Sequence, residues 1–86
     1  MKNQNYLHSD LSSLVIEAFY NVYNTLGCGF LEKVYENAMM IELRSLNLDC
    51  KQQQNIDVYY DSERVGDYYA DIIVEDKIII EIKGIN

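Results

Sequence analysis

Basic side chains are scarce in this chain. Seven lysines and arginines stand against fourteen aspartates and glutamates, a formal net charge of −7. Non-specific nucleic-acid binding rests on Lys and Arg neutralising phosphates. The seven here are scattered with no basic stripe, so a nucleic-acid role needs metal ions or a basic partner to offset repulsion. Cysteine is nearly as thin. Cys28 and Cys50 lack CxxC or Cys/His ligand spacing, which argues against a structural zinc site and reads as two reduced thiols in a cytosolic protein. The single histidine, His8, falls in the N-terminal tail and reads as a solvated surface group. No apolar run approaches the roughly 20 residues of a membrane span, and the polar start MKNQNY is no signal peptide. Proline and tryptophan are absent, which decides nothing.

What is present is enough for one small globular domain spanning residues 1–86, with 49% hydrophobic residues. A chain of this size buries roughly 60–65% of its unfolded surface, a modest core with little margin.

The organising stretch is Tyr68 to Lys83, YYADIIVEDKIIIEIK. Two β-branched runs flank a charged break at Glu75, Asp76 and Lys77, the pattern of a β-hairpin. Parity selects its register. A two-residue turn at Glu75 and Asp76 would set Asp71 opposite Ile80 and mix charge with isoleucine on both faces. A three-residue connection, Glu75 to Lys77, sets Asp71 opposite Glu81. One face then carries Ile72, Val74, Ile78, Ile80 and Ile82, and the other Asp71, Ile73, Ile79, Glu81 and Lys83. Only this register yields a clean core face, since a one-residue slip inverts every side chain.

Upstream, residues 1–8 are polar and read as frayed, and Ser9 or Asp10 can cap a helix to about Leu26. Gly27 is its stop. A second helix is expected from Leu31 to Leu46, apolar on more than one stripe and so buried on two sides, with Asn47 as terminator. Residues 48–55, with Gln52, Gln53 and Gln54, read as a solvated loop. Strands follow at about Ile56–Tyr60, Arg64–Val74 and Lys77–Lys83, with a turn at Asp61 and Ser62 and a bend or bulge at Gly66. Short connections imply an antiparallel meander covered by the two helices, an α+β fold.

Asp71, Glu81 and Lys83 on one face suit a Mg²⁺- or Mn²⁺-dependent phosphodiester hydrolase. The ion would take both carboxylates and the backbone carbonyl of Ile82, leaving positions for water and phosphate. Lys83 would orient the water or stabilise developing charge. The plainer reading is a cross-strand ion pair on a solvated sheet face, worth a few tenths of a kcal/mol. Glu32 is either a first-turn acid that satisfies free helix amides or a third carboxylate aimed at the site. Tyr68 and Tyr69, beside Asp71, are candidates for substrate contact. The other tyrosines read as packing groups.

LGCGFLEKVYENAMMIEL, with Gly29, Glu32 and Tyr35, followed by VGDYYADIIVEDKIIIEIK, resembles the GxxExxY proteins of the PD-(D/E)XK nuclease superfamily. The likeness covers Leu11 to Lys83. It implies a restriction-endonuclease-like αβββαβ core, Mg²⁺ on Asp71 and Glu81, Lys83 as catalytic lysine, and Glu32 facing the site. Cys28 stands where proline is expected and Tyr69 where a basic residue is usual. The family pattern continues past Lys83 with a helix and a strand, so the core is expected to be incomplete. Two functions follow: a nuclease acting on nucleic acid, or an interaction module that keeps the fold without catalysis. Either a homodimer or a partner chain is expected to complete the sheet at strand 77–83.

Overall fold

The computed structural model describes residues 7–83, with side chains from Asp10 onward. Two helices, α1 (Leu7–Leu26) and α2 (Glu32–Ser45), precede three strands, β1 (Cys50–Tyr60), β2 (Glu63–Val74) and β3 (Ile78–Ile80). The strands form an antiparallel meander in the order β1-β2-β3. This is the expected α+β arrangement, and no helix is long and apolar enough to cross a membrane.

The hairpin register is the one parity selected. Ile72 pairs with Ile80, Ile73 with Ile79 and Val74 with Ile78, so the connection is the three residues 75–77. Ala70, Ile72 and Val74 are wholly buried. Each of the two larger side chains contributes about 2 kcal/mol of burial. Together with Leu11, Ala18 and Val22 from α1, and Tyr35, Met39, Met40 and Leu43 from α2, they make the core.

Helix ends follow local chemistry. Gly27 adopts φ 71° and its N–H bonds the Tyr23 carbonyl at 2.8 Å, ending α1 where glycine is cheapest. After α2, Asn47 turns to φ 63°. Asn47 N–H then bonds Arg44 O at 2.9 Å and Leu48 N–H bonds Leu43 O at 3.1 Å, the paired bonds of a Schellman motif. The Asp61-Ser62 turn has positive φ at both residues, as a two-residue hairpin with the strand twist requires. The expected irregularity at Gly66 is a bulge: Val58 pairs with Gly66 but Tyr59 with Arg64, leaving Val65 as the extra residue.

Several expectations are corrected. The first helix begins at Leu7, so Ser9 and Asp10 lie within its first turn and do not cap it, and His8 is helical and not in a frayed tail. Residues 1–6 lie outside the described part. The second helix packs on two sides as expected, against α1 and against β1 and β2, burying Tyr35, Glu36, Met39, Met40 and Leu43, but its apolar residues Leu31 and Ile41 lie outward, 82% and 62% exposed. The glutamines are not a loop: β1 starts at Cys50 and runs through them. The last strand is shorter than expected, with Glu81 to Lys83 extended beyond it. Of the described tyrosines only Tyr35 is buried, the others lying on outward positions of α1 and the β1–β2 hairpin.

Tyr35 also explains the Gly29…Tyr35 spacing. Its hydroxyl donates to Gly27 O at 2.6 Å and accepts from Phe30 N–H at 3.3 Å, clamping the interhelical link in which Gly29 holds φ 110°. Tyr35→Phe removes both bonds and is expected to cost about 1–2 kcal/mol. Thermal unfolding followed by circular dichroism should show a midpoint lowered by several degrees, while far-UV spectra at low temperature stay unchanged.

Candidate active site

The site forms where β2 and the segment after β3 diverge. Asp71, half-buried on β2, accepts the backbone N–H of Ile82 on Oδ2 at 2.7 Å. That bond seats the aspartate against the Glu81-Ile82-Lys83 run. Glu81 and Lys83 are exposed, and Glu81 accepts a hydrogen bond from the Tyr68 hydroxyl. This bond to a carboxylate, with lesser effects of burial and of the charges on Glu81 and Asp71, pushes the Tyr68 phenol above its ordinary value. Tyr68 therefore orients Glu81. Tyr69 is 60% exposed.

Behind Asp71 lies a polar network that the sequence reading missed. Glu36 is a carboxylate only 4% exposed inside an otherwise apolar helix face. Gln52 Nε2 donates to it at 2.7 Å, Gln53 Nε2 reaches both its oxygens at 3.1 and 3.2 Å, and Lys33 Nζ approaches at 3.2 Å. The Gln53 amide also stands 3.5 Å from Asp71 Oδ1, so one side chain links the helix carboxylate to the strand carboxylate. Consecutive strand side chains point to opposite faces, so Gln52 and Gln53 could not ordinarily serve one acceptor. Gln53 manages it by adopting φ 53° within β1, a conformation that costs a non-glycine residue about 1–3 kcal/mol and persists only where the surroundings enforce it.

Burial alone would raise the Glu36 carboxyl. The donors Gln53, Gln52 and Lys33 outweigh it and hold the group below its ordinary value. Glu36 is thus charged, enclosed and fully hydrogen-bonded.

Glu32, the acid chosen from sequence, is exposed at the first position of α2. The helix carboxylate connected to Asp71 is Glu36, one turn further on. A signal for it existed, since Glu36 shares a face with the buried Met39, Met40 and Leu43 and a charge there demands partners. The partners themselves are remote in sequence and could not be read locally.

Two carboxylates with hard oxygen donors suit Mg²⁺ or Mn²⁺, ions that keep several waters and need few protein ligands. Among the described residues no group of three His, Cys, Asp or Glu side chains gathers as a ready-made cage. Glu81, Ile82 and Lys83 also line an apolar cavity of about 230 Å³ whose other walls include Val15, Phe19 and Met39.

Two helices on an antiparallel meander, with an aspartate and a Glu-x-Lys run meeting at its last hairpin, define a restriction-endonuclease-like arrangement. A family model for the PD-(D/E)XK nuclease superfamily matches residues 9–86, and the chain belongs to that superfamily. No curated protein and no solved structure matches it.

Proposed function

We propose that this chain is a divalent-metal-dependent phosphodiesterase acting on nucleic acid, with Asp71, Glu81 and Lys83 as its reacting groups. The observation that carries the reading is the bond from Ile82 N–H to Asp71, which draws the aspartate beside the Glu-x-Lys run in a member of a nuclease superfamily. Asp71 and Glu81, with the Ile82 carbonyl as a further oxygen, would hold Mg²⁺ or Mn²⁺. When bound, the ion would polarise a phosphate oxygen and acidify a water. It would also offset the repulsion between a chain of net charge −7 and its polyanionic substrate.

The chain's own groups do the rest. Lys83 holds the attacking water or neutralises charge developing on phosphate. Tyr68 fixes the direction of Glu81, and Gln53, braced on Glu36, fixes that of Asp71. Glu36 acts from behind as a positioning residue. Glu32 and Tyr69 lie exposed, where either can meet a substrate.

Mn²⁺ titration by calorimetry tests the site before any substrate must be chosen. Wild-type protein is expected to bind one ion. Asp71→Asn and Glu81→Gln should weaken it at least about tenfold, while Glu17→Gln, on an exposed position of α1, leaves it unchanged. Equal binding by all three variants would sink the metal site. A total absence of metal binding in the wild type would favour the second reading, an interaction module, which the acidic charge and the exposed Leu31 and Ile41 also suit.

A further inference from the structure

The apolar cavity bordered by Glu81 and Lys83 has walls that the proposed chemistry does not use. They come from the two helices, among them Ile16 and Phe19 of α1 and Met39 of α2. Phe19 is the aromatic ring of α1 that lines the cavity, and it stays 41% exposed. Its ring is braced. Tyr23, one turn further on and outside the cavity, stacks on it with centroids 6.2 Å apart and an interplanar angle of 14°. Tyr20 leans on it at 60° with centroids 5.8 Å apart. Such pairs favour a fixed mutual geometry and hold the ring in one orientation.

Size and charge choose the occupant. An apolar cavity of about 150 Å³ in another protein holds a benzene ring, so one of about 230 Å³ has room for a planar heterocycle. A chain of net charge −7 gains little affinity from phosphates. Stacking a base on an aromatic ring needs no positive charge and is worth about tenfold or more in affinity per base. Bases of a duplex are already paired and stacked, and drawing one out opposes binding, whereas an unpaired base is free to enter. One sugar separates a base from its phosphate. A base beside Phe19 therefore leaves that phosphate at Glu81 and Lys83.

We propose that the cavity between α1 and residues 80–83 seats one unpaired nucleobase against Phe19, so that the substrate is single-stranded DNA or RNA and not a duplex. Phe19 is then the residue that selects the form of the strand, with Tyr20 and Tyr23 as its braces. The inference rests on the phosphodiesterase reading for what happens to the phosphate, but the seating of the base is independent of metal.

The test is a titration of a short oligonucleotide, made in DNA and in RNA, that carries one fluorescent adenine analogue. It is run with chelator present, so the readout needs neither metal nor turnover and separates from the proposed cleavage. Wild-type protein is expected to quench the single strand in at least one of the two sugars, which names the source. The matched duplex should bind at least about tenfold more weakly. Raising salt should not weaken the single-strand complex, because screening relieves repulsion from an acidic chain. Phe19→Leu keeps an apolar side chain but removes the ring, and is expected to weaken binding about tenfold. Phe19→Trp should restore it with quenching at least as deep. Tyr59→Ala, on the exposed far part of the β1–β2 hairpin, should change nothing. Far-UV spectra accompany each variant, and if Phe19→Leu fails to fold, the strand-form and salt comparisons on wild type still decide. Absence of quenching in wild type, equal binding of duplex, or a folded Phe19→Leu that binds as wild type would each overturn the proposal.

Discussion

Lys83→Ala is expected to reduce Mn²⁺-supported cleavage of DNA or RNA by about a hundred- to a thousandfold, the usual loss when one group that stabilises transition-state charge is removed. Lys83 is exposed, beyond the end of β3, and no element of the fold rests on it. The variant should therefore keep the wild-type unfolding curve and bind metal as before. Its ammonium has no place among the ligands, so the change falls on the rate and not on occupancy. Single-turnover assays at saturating Mn²⁺, with calorimetric titration of the same preparations, separate the two. Cleavage that survives in purified Lys83→Ala protein would place the active site elsewhere.

The largest effect on stability is expected at Glu36. Glu36→Ala opens a cavity and strands the Gln52 and Gln53 amides, which then lack their buried acceptor. Removing one partner from such a network costs about 3–4 kcal/mol, a large share of the roughly 5–15 kcal/mol that holds a domain together. Denaturant unfolding should show a midpoint far below that of the wild type. Glu36→Gln keeps an acceptor and should lose far less. The charge also sets a pH dependence. Because the folded carboxyl lies below its ordinary value of 4.5, its stabilisation is complete above that value and declines as pH falls through the lower folded one. Acid unfolding in the wild type should therefore steepen below about pH 4.5, and the Glu36→Gln profile should be flatter there. Parallel profiles would show that Glu36 carries no such linkage.

How much of this was legible beforehand depended on whether the deciding contact was local. The β2–β3 register followed from parity, because any slip would have turned Ile72 and Val74 outward and buried Asp71. Gly27 and Asn47 ended their helices for reasons carried by the residues themselves. The glutamine run failed for the opposite reason. Three adjacent amides look like solvated loop, and the period of two that would mark a strand is broken at Gln53 by its left-handed backbone. What forces that backbone is Glu36, 17 residues away, a partner no window of sequence contains. The same distance hid Glu36 in favour of Glu32, whose place at the start of a helix is visible at once. Apolar spacing likewise could not tell that Leu31 and Ile41 face outward.

One small contact has a bearing on the order in which the sheet comes apart. Glu75 N–H bonds Asp49 O, and the Glu75 carboxylate accepts Asp49 N–H, both at 2.6 Å, so the root of β1 is fastened to the tip of the β2–β3 turn. At the far end, from Val58 through Val65, every residue is exposed and the ladder is already interrupted by the bulge. The meander is a ribbon stitched at one end. Breathing motions are expected to start at Asp61 and Ser62 and travel inward, so in a hydrogen-exchange measurement amide hydrogens near Tyr60 should exchange early and those of Ile72 to Val74 late. Asp71 lies toward the stitched end, where its geometry outlasts the loosening of the arm.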